Sequence, residues 1–470
     1  GSADSAQAHR FRSCAMKGEL QHIGRHAGTV LAGQLAVMAF GTTDTIVASR
    51  YSDDALAALS VGSAIFVSVY ASLMGIFQAL LPLWAEQRGA GQPLAIGRSL
   101  RQSMYLCVLA CMLGMAVLLM PDALLRWTDV PDALQHEVKR YLAVLAWGLP
   151  PALLFRIYSA LNQALGHPKL VTWLQLLSLL IKIPLSIWFT FGGLGLQPMG
   201  AVGCALATLL VNYTMFAIAL WLVRVQDFYE PLALWTKLEP PDWKQLGYFC
   251  RLGVPAGLAI LVEVTSFTLM ALYVARQGSL SSASHQIAAN LAAILYMVPL
   301  SLAIATSARV SFWRGAGDEA QARSLIQQCF KLSALIGIAL AATLLIARGL
   351  IVDIYTDSPK VMALASWLLL SVAAYHVADC VQTYCIFVLR CYRVTVAPLL
   401  IYCVLLWGGG LGIGYWLTYE WQAGPAWQDW QTTPMLFWAC SAAALFVTAI
   451  AFSSILFKVI RSPESVQPAQ

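Results

Sequence analysis

Apolar residues occur in long runs along the whole chain, separated by short polar stretches. Twelve runs are long enough to be membrane-spanning helices, because about 20 mainly apolar residues cross a hydrocarbon core about 30 Å thick. Several runs exceed this length, so we expect helices that tilt or that project from the bilayer. The predicted spans are 27–49, 55–84, 102–120, 138–165, 170–192, 199–223, 246–275, 285–310, 326–350, 361–389, 396–417 and 435–459.

The composition supports a membrane protein. Apolar residues make up 59% of the chain and charged residues 11%, whereas soluble domains carry about 25% charged residues. The sequence therefore predicts an all-α integral membrane protein with twelve transmembrane helices. Most of the eleven cysteines fall in apolar runs and form no CxxC pattern. We expect them to behave as small hydrophobic residues, without a disulfide framework or a metal site.

The distribution of Lys and Arg predicts the orientation of the chain. Cytoplasmic segments of membrane proteins are enriched in these residues. With the N-terminus placed in the cytoplasm, most of the 29 basic residues fall in cytoplasmic segments. Both termini are therefore predicted to be cytoplasmic, and the net charge of +6 requires no nucleic-acid partner. The exceptions are Arg50, Arg126, Lys139, Arg140, Arg276, Arg348 and Lys360 in outer segments, and Arg156 and Lys182 within spans.

The two halves of the chain repeat. The sequence RGAG at 88–91 returns at 314–317, each time after the second predicted span of its half. With the matching hydropathy around it, this repeat predicts a duplication into two six-helix lobes, related by a pseudo-twofold axis along the membrane normal, with a cleft between them. The predicted domains are an N-terminal cytoplasmic segment (1–23), a first lobe (24–225), a cytoplasmic linker (226–245), a second lobe (246–460) and a cytoplasmic tail (461–470).

The two ends of the chain are expected to lie outside the folded lobes. Residues 1–3 lack an initiator methionine and are interpreted as a cloning remnant, and no apolar signal-peptide core follows them. The polar tail after Arg461 is expected to be disordered.

Acidic residues inside predicted spans are candidate functional residues, because a charge there costs about 2.5–3.5 kcal/mol on insertion scales unless it is compensated. Asp44 lies near the outer end of the first span. It either faces the protein interior or extends to the outer headgroups. Glu263 lies in the middle of the seventh span, where its side chain cannot reach the headgroups. The alternative to a functional role is a protonated, hydrogen-bonded glutamate in the core.

The tenth span carries a polar stripe. Its members are three and four residues apart, which places them on one face of a helix. A polar stripe of this kind lines water or binds a cation. Asn290 and Tyr296 in the eighth span give a weaker indication, because amides also hold membrane helices together. The stripe consists of Tyr375, His376, Asp379, Gln382 and Thr383.

Lys182 is a cationic residue in the middle of the fifth span. Two residues later comes Pro184, which removes a backbone hydrogen bond from the helix. A buried lysine must pair with an acid or an anion, or lose its proton. The candidate partners are Asp44 and a bound anion.

Taken together, these segments resemble the multidrug and toxic compound extrusion (MATE) family, on its bacterial NorM-like branch, over roughly residues 24–460. The resemblance implies twelve helices in two lobes and the export of large, often cationic organic compounds, driven by inward Na⁺ or H⁺. The family's membrane acids match Asp44, Glu263 and Asp379. The matching segments are GQLAVMAFGTTDT around Asp44, GVPAGLAILVEVTSF around Glu263, YHVADCVQTYCIFVLR around Asp379, SHQIAANLAAILYMVP at 284–299 and GAVGCALATLLVNYTMF at 200–216.

Two positions depart from the family pattern. Lys182 and Ser186 stand where NorM-like proteins have amides in the fifth helix, and His376 stands where the family often has Gln. Na⁺ binding beside Asp44 is therefore not expected. The resemblance places the first and fifth helices around one polar site. We accordingly predict that Lys182 approaches Asp44 within salt-bridge or single-water distance in at least one state. The alternative is that Lys182 reaches a water-filled cleft and contacts no acid.

We therefore interpret the chain as a secondary antiporter of the bacterial inner membrane. It is expected to be a monomer without a cofactor that exports organic cations or drugs in exchange for H⁺ or Na⁺. One alternative is a lipid-linked precursor flippase of the same superfamily, which requires a cleft rich in arginine. A membrane enzyme or receptor is not favoured, because no nucleophile–base pair, metal spacing or phosphate loop occurs. The predicted cation-coupling residues are Asp44, Glu263, Asp379 and Tyr375, with Na⁺ as a candidate ligand of Glu263 and Asp379, and the predicted substrate-binding residues are Asp379, Gln34, Asn290, Tyr296 and His376.

Overall fold

The computed structural model describes residues 2–127 and 130–462, which are almost entirely helical. Twelve helices in this part of the chain are long and apolar enough to cross a membrane. The described residues contain no β-strand. The predicted all-α class with twelve membrane helices is thus confirmed. Gly1, which belongs to the predicted cloning remnant at 1–3, lies outside the described residues. So does residue 463 onward, which makes up most of the tail predicted to be disordered.

The twelve membrane helices, numbered α1 to α12, are longer than most of the predicted spans. The largest difference is at the start of α1, which begins at Ser2 because polar residues continue the helix ahead of the apolar run. The helices are α1 (Ser2–Tyr51), α2 (Asp53–Gly89, interrupted between Gln78 and Leu81), α3 (Pro93–Leu119), α4 (Asp132–Ala164), α5 (Pro168–Phe191), α6 (Ala201–Val225), α7 (Trp243–Ala275), α8 (Ser279–Gly315), α9 (Glu319–Tyr355), α10 (Pro359–Cys391), α11 (Val396–Glu420) and α12 (Met435–Arg461).

Packing groups the chain into two compact units. The N unit is Ala32–Leu261, and the C unit combines Gly1–Leu31 with Val262–Gln470. The boundaries fall inside α1 and α7, so each of these two helices contributes residues to both units. The predicted lobe limits, 24–225 and 246–460, stay a prediction.

The two RGAG segments end their helices in the same way. The N–H groups of Ala90 and Ala316 each donate to the carbonyl four residues earlier. Gly91 and Gly317 follow with φ angles of 69° and 81°, a left-handed conformation that glycine adopts at little cost. The repeated sequence therefore forms a repeated local structure.

In the N unit, α5 and α6 approach each other closely at Gly203. A Cβ atom at this position would lie 2.5 Å from the carbonyl carbon of Phe189. The missing side chain lets the first turn of α6 pack against the last turn of α5. This approach brings Cys204 and Thr208 of α6 beside Lys182 of α5.

In the C unit, α11 is wider than an ordinary α-helix. Its segments Cys403–Gly412 and Trp416–Glu420 are π-helical. π-helical turns occur frequently at functional sites. Here the widened segment supplies Leu406, Gly410 and Leu411 to the wall of a cavity beside α7.

Candidate functional site

The cavity in the C unit lies beside the middle of α7. Its wall includes Glu263 and Tyr375, with apolar side chains and serines from α7, α11 and α12. The volume is about 20 Å³, enough for a water molecule. A carboxyl group in a membrane-spanning helix thus borders a space that water or a small cation can enter.

Asp379 is buried on α10 in a hydrogen-bonded network. Gln382 donates from Nε2 to Asp379 Oδ1 at 2.7 Å, and Thr383 donates from Oγ1 to the same oxygen at 3.3 Å. The hydroxyl of Tyr402 donates to Oε1 of Gln382. Asp379 is not among the residues that line the cavity, but its charge acts on Glu263. The two acids therefore belong to one electrostatic site.

Aromatic rings surround Tyr375. Its ring packs edge-on against Phe267 and Trp438, with centroid distances of 6.0 and 5.9 Å. The indole N–H of Trp438 donates to Nδ1 of His285 at 3.0 Å, which fixes the indole ring. Phe267 and Tyr375 also line the cavity. Aromatic surfaces attract organic cations through their π faces.

Arg390 is a charged residue that the sequence reasoning missed. The sorting of basic residues placed it in a cytoplasmic segment, whereas the structure buries it, with its guanidinium carbon 4.5 Å from the Phe387 ring centroid. Within the described residues, its Nε and Nη1 atoms have no hydrogen-bond partner, and its charge acts on Glu263. Arg390 follows Asp379 by about three helical turns, which places both on one face of α10. This spacing is visible in the sequence and could have indicated that Arg390 belongs to the same site as Asp379.

The other predicted residues of the C unit have different surroundings. Tyr296 lies within electrostatic reach of Glu263 and Asp379. Asn290 is exposed and accepts a hydrogen bond from the hydroxyl of Tyr355 at 2.7 Å. The buried His376 has its Nε2 atom 3.5 Å from the sulfur of Cys380, one turn along α10.

In the N unit, Lys182 and Asp44 come together. Nζ of Lys182 lies 2.7 Å from Oδ1 of Asp44, and Lys182 has no exposed surface. The same ammonium donates to the carbonyl of Cys204 at 2.9 Å and to the hydroxyl of Thr208 at 2.6 Å. Ser186 donates to Oδ1 of Asp44 at 3.1 Å. The three N–H groups of the ammonium thus meet three oxygen atoms.

Asp44 faces the protein and does not contact solvent alone, as it would if it extended to the outer headgroups. The residue is 9% exposed and faces α5 and α6. Gln34, ten residues earlier on α1, is also buried. Sequence reasoning did not identify Cys204 and Thr208 as partners of Lys182, although their spacing of four residues places them on one face of α6.

The family model named MatE matches residues 30–188 and 255–416, more than half of the chain. The chain belongs to the MatE family. A MatE relative from Aromatoleum aromaticum, named a probable multidrug resistance protein NorM, is 34% identical over 455 residues, covering 97% of both chains. The multidrug resistance protein MdtK of Yersinia pseudotuberculosis is 31% identical over 389 residues, covering 83% of this chain and 85% of its own.

Solved MatE structures share the fold. A crystal structure of a mutant of the Vibrio cholerae MATE transporter VcmN matches with a TM-score of 0.85 at 16% identity, covering 96% of this chain and 99% of that one. The eukaryotic MATE transporter AtDTX14 matches with a TM-score of 0.83 at 17% identity, covering 96% and 100%. These matches establish the architecture of a multi-pass membrane protein.

Proposed function

We propose that the protein is a secondary active antiporter of the bacterial inner membrane, with both termini in the cytoplasm. It exports lipophilic, often cationic organic compounds in exchange for inward H⁺ or Na⁺, by alternating access. Membership of the MatE family and the names of the relatives support multidrug efflux. The observation that carries the proposal is the carboxyl group of Glu263 beside a cavity in the middle of a membrane-spanning helix.

The proposed exchange of the coupling ion for the substrate follows because both compete for the same negative charge. The charges of Asp379 and Arg390 both act on Glu263, and the positive charge of Arg390 opposes the negative charge of Asp379. A proton or a Na⁺ ion that binds here, or a cationic substrate that binds beside this cavity, stabilises the remaining negative charge, because an uncompensated charge among apolar groups is unfavourable. Two cations that need the same charge exclude each other, and this exclusion couples the inward ion to the outward substrate.

The aromatic wall supports the proposed selection for lipophilic cations. The rings of Phe267 and Tyr375 border the cavity and offer π faces and apolar area. The hydroxyl group of Tyr375, which also lines the cavity, is the proposed further contact of the coupling ion. Gln34, Asn290, Tyr296 and His376 stay proposed substrate contacts.

Glu263→Gln tests the proposal, because glutamine keeps the shape of the side chain and removes the exchangeable charge. We expect coupled efflux of a fluorescent organic cation to fall by at least about tenfold, with unchanged protein levels. Inverted membrane vesicles with separately imposed pH and Na⁺ gradients give the rate and identify the coupling ion.

Glu420→Gln is a matched control, since Glu420 is an exposed acid at the end of α11. This variant should export like the parent. Parental export by Glu263→Gln, or efflux that responds to neither gradient, would contradict the proposal.

Arg390 is the one feature that favours the alternative of a lipid-linked precursor flippase. Recognition of a pyrophosphate group uses several guanidinium or ammonium groups. The ammonium group of Lys182, however, already contacts three oxygen atoms of the protein. Arg156 likewise donates a hydrogen bond to the hydroxyl of Tyr70 at 2.8 Å. Proteoliposomes with a fluorescent lipid-linked pyrophosphate distinguish the two functions: translocation of that lipid without cation efflux would favour the flippase.

A further inference from the structure

The surroundings of the Lys182 ammonium have the composition of a cation-binding site. A carboxylate oxygen of Asp44, the backbone carbonyl oxygen of Cys204 and the hydroxyl oxygen of Thr208 lie 2.7, 2.9 and 2.6 Å from Nζ. The ring centroid of Phe40 lies 4.7 Å away. Carboxylate and carbonyl oxygens are the ligands that hard cations prefer in proteins, and an aromatic face adds a weaker attraction for a cation.

The site is built by three helices of the N unit. α1 supplies Asp44 and Phe40, α5 supplies the ammonium, and α6 supplies the carbonyl and hydroxyl oxygens. Lys182 is fully buried, so the ammonium does not share its ligands with bulk water. One positive and one negative charge lie in contact, and the pair is electrically neutral. Removing the positive charge alone would leave a buried carboxylate that requires another cation.

We propose that the Lys182 ammonium is a covalently tethered substitute for a bound monovalent cation, and that shortening this side chain opens a site for a free alkali-metal ion. An ammonium group is close to K⁺ in size, and the ligand oxygens stay in place on α1 and α6 when the side chain is shortened. The N unit therefore carries its own counter-ion, and Lys182 determines that no free ion binds beside Asp44. This inference concerns ion binding in the N unit and does not rest on the transport activity proposed above.

Direct ion binding to the purified full-length protein tests this proposal. The probes are radioactive Na⁺ and radioactive Rb⁺, a congener of K⁺, measured by scintillation proximity in detergent or nanodiscs. Every protein carries Glu263→Gln and Asp379→Asn, so that the carboxyl groups of these two residues of the C unit add no signal. In this background we expect no saturable binding with Lys182 intact. Lys182→Ala should bind one ion per protein, and the further change Asp44→Asn should abolish that binding.

Lys182→Met provides a matched control. Methionine removes the charge as alanine does, but its side chain still fills much of the space that the lysine occupied. We expect no ion binding by Lys182→Met. Equal binding by the methionine and alanine variants would overturn the proposal, because the ion would then not occupy the position of the ammonium.

A second variant keeps the test decisive if Lys182→Ala fails to fold. Lys182→Asn also vacates the position of the ammonium and adds an amide oxygen that can contact an ion, so it should bind at least as well as the alanine variant. The proposal is wrong if neither variant binds Na⁺ or Rb⁺ above the background. It is equally wrong if the protein with Lys182 intact binds either ion in a manner that depends on Asp44. An absence of efflux in vesicles would disprove the antiporter and leave these binding results unaffected.

Discussion

At the residue scale, Asp44 and Lys182 stabilise the N unit only as a pair. The contact between their charged atoms is 2.7 Å, and no part of Lys182 is exposed. Both charges have lost hydration, so each side chain contributes to stability mainly by compensating the charge of the other. The loss of one charge should therefore be more harmful than the loss of both.

Asp44→Asn should destabilise the protein by about 3–5 kcal/mol, because it leaves a buried ammonium without an acid. The double variant Asp44→Asn with Lys182→Met should recover much of that loss. Thermal and chemical unfolding of the purified variants in one detergent measure both effects. Equal stability of the single and double variants would show that the two charges are not energetically coupled.

The sequence indicated most of the buried charges but not all of them. Glu263 and Lys182 lie far from both ends of their spans, where a charge is conspicuous. Arg390 lies at the end of α10, where basic residues usually flank a span, so its burial was not apparent. The depth of a side chain near a helix end depends on neighbouring helices, and a linear sequence does not contain that information. The same limit applies to Thr208, whose hydroxyl matters only because α6 packs against α5.

At the scale of elements, Arg101 of α3 forms hydrogen bonds that attach the linker between α6 and α7 to α3. Its guanidinium group donates from Nε and Nη2 to the two carboxylate oxygens of Glu239, at 3.0 and 2.8 Å. The same side chain donates from Nη1 to the carbonyl of Ala233 at 2.7 Å. These hydrogen bonds lower the pKa of Glu239 to about 2, from its usual value of 4.5.

This attachment should weaken in acid. Because the pKa of Glu239 is lower in the folded protein, its stabilising effect is present above pH 4.5 and is lost as the pH falls from 4.5 to about 2. A spin label at the exposed residue Leu238 should become more mobile over this window. Glu239→Gln should remove that pH dependence. A label at Leu194, in the exposed loop between α5 and α6, is the control, and an equal change there would indicate general unfolding instead.

Gly203→Ala should destabilise the contact between α5 and α6. The added methyl group would lie 2.5 Å from backbone atoms of Phe189, which cannot move without shifting a helix. We expect a loss of about 1–3 kcal/mol, measured by thermal unfolding. Gly247→Ala in α7 is a matched control, since no atom lies within 4 Å of its added methyl group. Equal stability of Gly203→Ala and the parent would contradict the close approach.

The positions of most membrane helices followed from hydropathy, because apolar runs and helices coincide in a bilayer. Hydropathy did not indicate where α1 begins, since polar residues 2–26 form helix outside any apolar run. It also did not indicate the π-helical segment Cys403–Gly412. Its apolar, glycine-rich sequence suits an ordinary membrane helix equally well.

At the scale of the whole molecule, an ion pair joins the two sequence segments of the C unit. Arg309 of α8 donates from Nε and Nη2 to the two carboxylate oxygens of Glu19 in α1, at 2.9 and 2.5 Å. The Arg309 guanidinium also lies over the rings of Phe312 and Trp313, at 4.6 and 5.3 Å. A bidentate geometry with stacking is specific to arginine.

Arg309→Lys should therefore fail to replace the native contact, although it keeps the charge. Amide hydrogens near Glu19 should exchange faster in this variant, as measured by mass spectrometry. A double-mutant cycle of Arg309→Lys and Glu19→Gln should give a coupling free energy of about 0.5–3 kcal/mol. Independent, additive effects of the two substitutions would show that the ion pair does not hold the beginning of α1.

The division of α1 between the two units has a consequence for biosynthesis. During translation, Arg309 leaves the ribosome 290 residues after Glu19. Helix α1 thus completes its packing only after α8 has been inserted. A nascent chain arrested before that point exposes its own beginning to proteases. The contact between Glu19 and Arg309 therefore forms only in a chain whose synthesis has passed α8.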